Sequence, residues 1–303
     1  MSSEPNTYRQ MLIDRAFGNE DALLLRKQVH DRYSEPEIDF PAWVLGRFEW
    51  HGHERVLDIG SGPLTYQDSV LKYIPPKQYI ACDFSLGMMR AARRHAKPDI
   101  SLMAVDIVAI PFPENSFDVV LANHMLYHVT DLGQALQEIR RVLRPDGVII
   151  AATNSEFSMP EFNTLTQRAM RVLGQSADAA EKLEQTALSN FSLESGLRQI
   201  ARHFPAVVRY DVPGTLVFRE LKPVIEYINS TRPFYEPNLP EGIIWEDFIT
   251  IMGDQIRRLL EHFGELVINK LAGVIIATEN GGFAAEYRQL LHENAIRQTH
   301  TDR

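Results

Sequence analysis

The sequence is short of cysteine, of positive charge and of long apolar runs. One cysteine, Cys82, in 303 residues excludes an internal disulfide and a cysteine-based zinc site built within one chain. Cys82 stands inside an apolar stretch, where a small buried residue is its ordinary role. No apolar run reaches the ~18 residues of a membrane-spanning helix, and the polar stretch from Met1 to Arg9 lacks the apolar core of a secretion signal. A cytoplasmic protein without a membrane partner is therefore expected. A formal net charge of −9 leaves little positive surface for neutralising phosphates, so no nucleic-acid partner is expected. The basic groups Arg90, Arg93, Arg94, His95, Lys97 and Arg140, Arg141, Arg144 fall in the last turns of expected helices, where they complement the helix dipole. No acidic cluster has the spacing of a divalent-metal site, and no metal is expected.

What is present centres on Val56-Leu57-Asp58-Ile59-Gly60-Ser61-Gly62-Pro63. It reads as a buried strand, a tight Gly-x-Gly turn and a helix over about 64 to 73. The glycines let the backbone turn sharply and let a ligand approach with no Cβ in the way. The helix start behind them offers unpaired N–H groups. Tyr79 to Asp83 is a second strand, and its terminal Asp83 is placed to bond two ribose hydroxyls. A dinucleotide fingerprint would put a third glycine where Thr65 stands. Asp58, just before the turn, would repel a pyrophosphate and attract a cation, so a ligand carrying an amine or sulfonium is implied.

These two segments are followed by Val105-Asp106, by Phe117-Asp118-Val119-Val120-Leu121-Ala122-Asn123 and by Leu143-Arg144-Pro145-Asp146-Gly147. In order and spacing, over roughly residues 53 to 155, the set resembles the class I S-adenosylmethionine (SAM)-dependent methyltransferases. The resemblance implies an α/β fold with a seven-stranded, mostly parallel, doubly wound sheet, and SAM as cofactor. Carried onto this chain, the cofactor would meet Asp58, Gly60, Ser61 and Gly62 at the first turn. Asp83 would meet the ribose, Phe84 and Met88 would also contact the cofactor, Asp106 and Ile107 would lie at the adenine, and Asn123 beyond the fourth strand. N-terminal helices fold as a lid in many small-molecule members, which makes Tyr33, with Tyr8 and Arg32, a candidate for the methionine carboxylate or the substrate. His128, His124 and Tyr127 would flank the transferable methyl as catalytic candidates. His128 leads as a general base because an unperturbed imidazole titrates near neutrality.

The acceptor implied is a small molecule, methylated at O, N or C. Asn123-His124-Met125-Leu126 replaces the Asn-Pro-Pro-Tyr signature of members that methylate amino groups of nucleobases or glutamine. Pro63-Leu64-Thr65 departs from the family pattern and adds bulk near the methionine tail. That leaves open a SAM-consuming enzyme that uses another bond and releases methylthioadenosine. A catalytically silent partner subunit is the third reading.

The chain divides into an N-terminal lid (1–52), the SAM-binding core (53–155), inserted cap helices (156–204), the rest of the sheet with further cap helices over 220–263 (205–283), and a C-terminal helix and polar tail (284–303). Two short strands are expected around Pro213-Gly214, and a Pro-rich linker from Arg232 to Pro240. Leu86, Met89 and Ala92 would face the sheet from a helix capped by Ser85. Phe248, Met252, Ile256, Leu259 and Phe263 would share one face of a helix over 245–263. The oligomeric state stays open between monomer and homodimer.

Overall fold

The computed structural model describes residues 16–176 and 190–280. Tyr8 and the expected helix over 284–303 lie outside them. The described strands are β1 (Ser34–Glu35), β2 (Val56–Ile59), β3 (Tyr79–Asp83), β4 (Ser101–Ala104), β5 (Phe117–Leu121), β6 (Leu143–Asn154), β7 (Ala206–Phe218) and β8 (Leu266–Thr278). They form one sheet in the order β1-β7-β8-β6-β5-β2-β3-β4. From β4 to β6 all pairings are parallel, and β8 runs antiparallel to both β6 and β7. This is the expected seven-stranded sheet, with the two-residue β1 added against β7. Every residue of β2 is buried, as is most of β5, because a parallel strand is covered by helices on both faces.

Helices cover the sheet: α1 (Asp21–Tyr33), α2 (Phe40–Leu45), α3 (Gln67–Val70), α4 (Leu86–His95), α5 (Leu132–Val142), α6 (Pro160–Val172), α7 (Leu193–Ile200), α8 (Leu221–Asn229), α9 (Arg232–Tyr235) and α10 (Trp245–Phe263). Side-chain caps fix several starts. Asp39 accepts from the Ala42 N–H, Ser85 from Met88 and Asp131 from Gln134. Such caps satisfy N–H groups that the helix leaves unpaired.

Four local expectations are corrected. The helix after Gly62 shrinks to α3, because Leu64 takes a left-handed conformation at φ 69° and the chain turns repeatedly before Gln67. On α4 the buried stripe is Met88, Ala91 and Ala92, whereas Leu86 is 60% exposed. The phase is set by the Ser85 cap, which leaves the first helical residue pointing outward. Phe263, at the end of α10, is likewise exposed. The two strands around Pro213-Gly214 are one continuous β7. Pro213 is tolerated because β1 covers β7 only at Thr215 and Leu216, leaving Pro213 on an edge.

The extension of β7 and β8 builds the cap. Ala272 to Thr278 of β8 pair with β6, but Leu266 to Leu271 run past it and pair with β7 alone. Onto this ribbon fold Val29 of α1, Met170 of α6, Val224 of α8, and Trp245 and Phe248 of α10, with Phe218 and Ile268 beneath them in one apolar cluster. Helices α1, α6, α8 and α10 therefore share a core. Between them and the carboxyl ends of β2, β3 and β5 lies the main cavity. Among the described residues no helix is long and apolar enough to cross a membrane.

Candidate functional site

The cavity has a volume of about 850 Å³, toward the upper end of the ~300–1,000 Å³ range of small-molecule sites. One end is the Gly-x-Gly turn. Gly60 and Gly62 have φ of 73° and 54°, and a Cβ on Gly60 would stand 2.6 Å from Met125 Cγ. Only glycine meets both conditions at position 60. Ser61 ties the turn to β3 by donating its N–H to the Cys82 carbonyl at 2.9 Å. Asp83 accepts from the Gly62 N–H at 3.0 Å and the Ser85 N–H at 2.8 Å. Its carboxyl is thus fixed at the cavity edge, and burial raises its pKa even though these two bonds lower it.

Gly60, Ser61, Gly62, Asp83, Phe84, Met88, Asp106, Ile107 and Asn123 all line this one cavity. Two expected members do not. Asp58 is 2% exposed and off the wall, its carboxyl bonded by the Tyr79 hydroxyl. Burial pushes Asp58 up to about 7, the Tyr79 bond opposing. Asp58 thus braces β2 against β3 and offers no exposed charge to a cation. Tyr33 leaves the cavity and lays its ring 4.9 Å from that of Phe218, inside the cap core. Leu64 also turns into the core, and only Pro63 and Thr65 of the divergent triplet reach the wall.

Beyond β5, His124, Tyr127 and His128 line the cavity together. His124 sits at φ 53° with its N–H on the Ala152 carbonyl and its ring 5.3 Å from Phe40. The His128 ring stacks on Phe234 at 5.8 Å and meets Phe17 edge-on at 5.1 Å. Desolvation lowers His124 to about 4; desolvation and then the Arg26 charge lower His128 to about 3. The near-neutral titration expected of His128 does not hold in this setting. Both rings are neutral imidazoles, able to donate or accept a hydrogen bond but weakly basic.

Among the described residues lining this cavity, four buried side-chain atoms have no hydrogen-bond partner: Ser61 Oγ, Tyr66 Oη, Asn123 Nδ2 and His128 Nδ1. Asn123 Oδ1 accepts from the Ala152 N–H at 2.9 Å, which turns the amide nitrogen the other way. Buried polar groups are nearly always satisfied, so four orphans on one wall mark where ligand atoms belong.

A strap closes the cavity from the N-terminal side. The Ser85 hydroxyl donates to the Phe17 carbonyl at 2.7 Å, and Gly18 passes so close to Gly87 that a Cβ there would stand 2.4 Å from its oxygen. Glu20 accepts from Arg94 and His95, both at 2.8 Å. Phe17, Arg26, His30, Phe234 and Lys270 are wall residues that no sequence motif singled out. Arg26 and His30 lie on the lid helix where Arg32 and Tyr33 were expected to act.

A family profile described as a methyltransferase domain matches residues 57–151. Those residues form a class I SAM-dependent methyltransferase domain. A demethylmenaquinone methyltransferase of Renibacterium salmoninarum is 38% identical to this chain over 128 residues, covering 40% of the chain and 50% of its own length. A malonyl-[acyl-carrier protein] O-methyltransferase of Yersinia pestis is 37% identical over 113 residues, 37% of this chain and 41% of its own. The chain spans about half the length of the curated relatives it matches. Among solved structures, a Bacillus halodurans protein assigned to the methyltransferases aligns with a TM-score of 0.52 at 13% identity, covering 79% of this chain and 98% of its own. Phosphoethanolamine N-methyltransferase 2 of Haemonchus contortus aligns at 0.52 and 14% identity, covering 90% of this chain and 60% of its own. At these identities the likeness speaks for the fold. The methyltransferase domain accounts for the β2 to β6 core, whereas α1 and the α6 to α10 cap lie beyond the matched residues.

Proposed function

We propose that this protein is a SAM-dependent methyltransferase that moves the SAM methyl group to an O, N or C atom of a small molecule. The observation that carries the reading is the row of orphaned polar atoms, with the fixed Asp83 carboxyl, along one wall of the methyltransferase domain. The residues fit the cofactor. Asp83 supports a pair of ribose hydrogen bonds; Ser61 and Asn123 offer unsatisfied groups beside the Gly-x-Gly turn; Asp106 and Ile107 suit the adenine end. When bound, SAM supplies a methyl group already activated on sulfonium sulfur. The chain's own residues have the remaining work. The Gly60 turn and Asp83 fix the donor's position, and His124, Tyr127 and His128 surround the place where an acceptor must stand. Phe17 and Phe234 close over it and keep water out.

A small acceptor is supported by the apolar cap and by the net charge of −9, which disfavours a polyanionic nucleic acid. Leu64 packs into the core and not into the cavity, so its bulk does not press on the methionine tail, and of the divergent triplet only Pro63 and Thr65 face the ligand. Calorimetric titration with S-adenosylhomocysteine tests the reading. Saturable binding at one site is expected. A flat titration would remove the protein from SAM chemistry.

A further inference from the structure

The wall opposite the Gly-x-Gly turn carries a cation that the domain's chemistry has not used. Arg26 lies on α1 and lines the cavity. Its Nη1 donates to the Ser230 carbonyl at 2.7 Å, and its guanidinium carbon stands 6.0 Å from the centre of the Phe234 ring. A guanidinium has five donors in a planar fork, and this one bond fixes its orientation.

No carboxylate among the described residues answers its charge. Of the acidic residues on the cavity wall, Asp31 pairs with Lys27, Asp83 takes the Gly62 and Ser85 amides, and Asp131 caps α5. Asp106 accepts from the Val108 N–H at the cofactor end, and Glu156 is exposed. Burial pulls the Arg26 pKa down, and Tyr227 on the same cavity stays an uncharged phenol, its own pKa pushed to about 12 by burial. The neighbouring cationic types add no anion. His30, one helical turn on, is neutral, pushed to about 3 by burial and then by Lys270, His124 and Arg26. Lys270 lines the cavity with its Nζ on the Ser34 hydroxyl. A half-buried charge without a counter-charge gains from a partner that completes it, and a planar guanidinium matches an oxyanion, best of all a carboxylate, with two parallel bonds.

The aromatic residues of the cavity define the rest of the ligand. Phe17, Phe162, Phe234, Tyr227, Trp245 and Phe248 line the cavity, and such walls favour a flat, apolar body. An oxyanion in this cavity has two sources, the methionine carboxylate of the cofactor and the acceptor molecule. Placement favours the acceptor. Leu23 is the α1 residue that faces Gly62, its Cδ1 3.9 Å from a Cβ built there. Arg26 lies one turn further along, bonded to Ser230 and beside the Phe234 ring on which His128 stacks.

Resting on the methyltransferase reading, we infer that the acceptor is a flat apolar molecule bearing an oxyanion, and that Arg26 is the residue that selects it. The test is calorimetry on the full chain saturated with S-adenosylhomocysteine, titrated with 2-naphthoate and with its neutral match 2-naphthamide. Wild type is expected to bind the carboxylate at least about tenfold more tightly, the scale of one hydrogen bond to a charged group. Arg26→Gln is expected to bring the two probes to similar affinity and to leave S-adenosylhomocysteine binding as it was. Equal binding of the two probes by wild type, or no binding of naphthoate at millimolar concentration, overturns the inference. So does a preference that survives Arg26→Gln. A tenfold loss of S-adenosylhomocysteine affinity in that variant would reassign Arg26 to the cofactor's carboxylate. The wild-type comparison decides the question even if Arg26→Gln fails to fold. Absence of S-adenosylhomocysteine binding by wild type would instead refute the methyltransferase reading.

Discussion

Asp83→Asn separates the scaffold from the ligand contact in one residue. The carboxyl accepts two backbone N–H groups, from Gly62 at 3.0 Å and Ser85 at 2.8 Å, and retains lone pairs for ribose hydroxyls. In the variant the amide oxygen satisfies one backbone donor, while the NH₂ faces the other. That orphaned donor costs about 1–3 kcal/mol of stability, visible as a lower Tm without ligand. The ribose then loses its charge-assisted pair, worth about 2–3 kcal/mol, or about a 30- to 150-fold rise in Kd for S-adenosylhomocysteine. Calorimetry on protein confirmed as folded gives the Kd, and thermal unfolding gives the Tm. A lower Tm with a Kd within about threefold of wild type would refute the assignment, because the carboxyl would then serve only the turn.

Three further expectations follow from the same geometry. His128→Phe keeps the stacking with Phe17 and Phe234 and removes the orphaned Nδ1; methyl transfer should fall by about tenfold, the value of one hydrogen bond, with S-adenosylhomocysteine affinity unchanged. Wild-type turnover would make His128 a wall and nothing more. Asp58, raised to about 7, is protonated in the folded chain at pH values where the unfolded chain has released the proton. Its contribution to stability should therefore fall as pH rises from about 4 to about 7 and level off above that. Tyr79→Phe removes the bond that favours the charged form and should carry that fall to higher pH, so coincident Tm-versus-pH profiles would reject the pairing. Gly60→Ala forces a left-handed Ala, costing about 1–2 kcal/mol, and pushes a Cβ against Met125 on the cavity wall; S-adenosylhomocysteine binding of wild-type strength would show that Met125 moves aside at no cost.

The legible parts of this protein are those in which neighbouring residues determine the outcome. The Gly60-Ser61-Gly62 turn, Asp83 at its strand end, the Ser85 cap, and the Trp245–Phe263 helix each follow from local chemistry or a long period. Arg26 was hidden because α1 has no clear apolar stripe: among its thirteen residues only Val29 is buried, so no face could be assigned. Phe234 and Tyr235 belong to a Pro-rich stretch whose composition predicts a linker. It becomes α9 and a cavity wall because the shared lid and cap core holds it there. The ordinary chemistry of Asp58 and His128 is altered by burial, which no local pattern reveals. Pro213 and Gly214 signal a turn in isolation, yet β8 supplies a partner along all of β7.

The most direct test is mass spectrometry after incubating the purified protein with SAM bearing a deuterated methyl group, with and without small-molecule extract of the source cells. The expected result is S-adenosylhomocysteine formed only with extract, together with one acceptor heavier by the labelled methyl. Methylthioadenosine formed from SAM alone, or no consumption of SAM with any extract, would contradict the account.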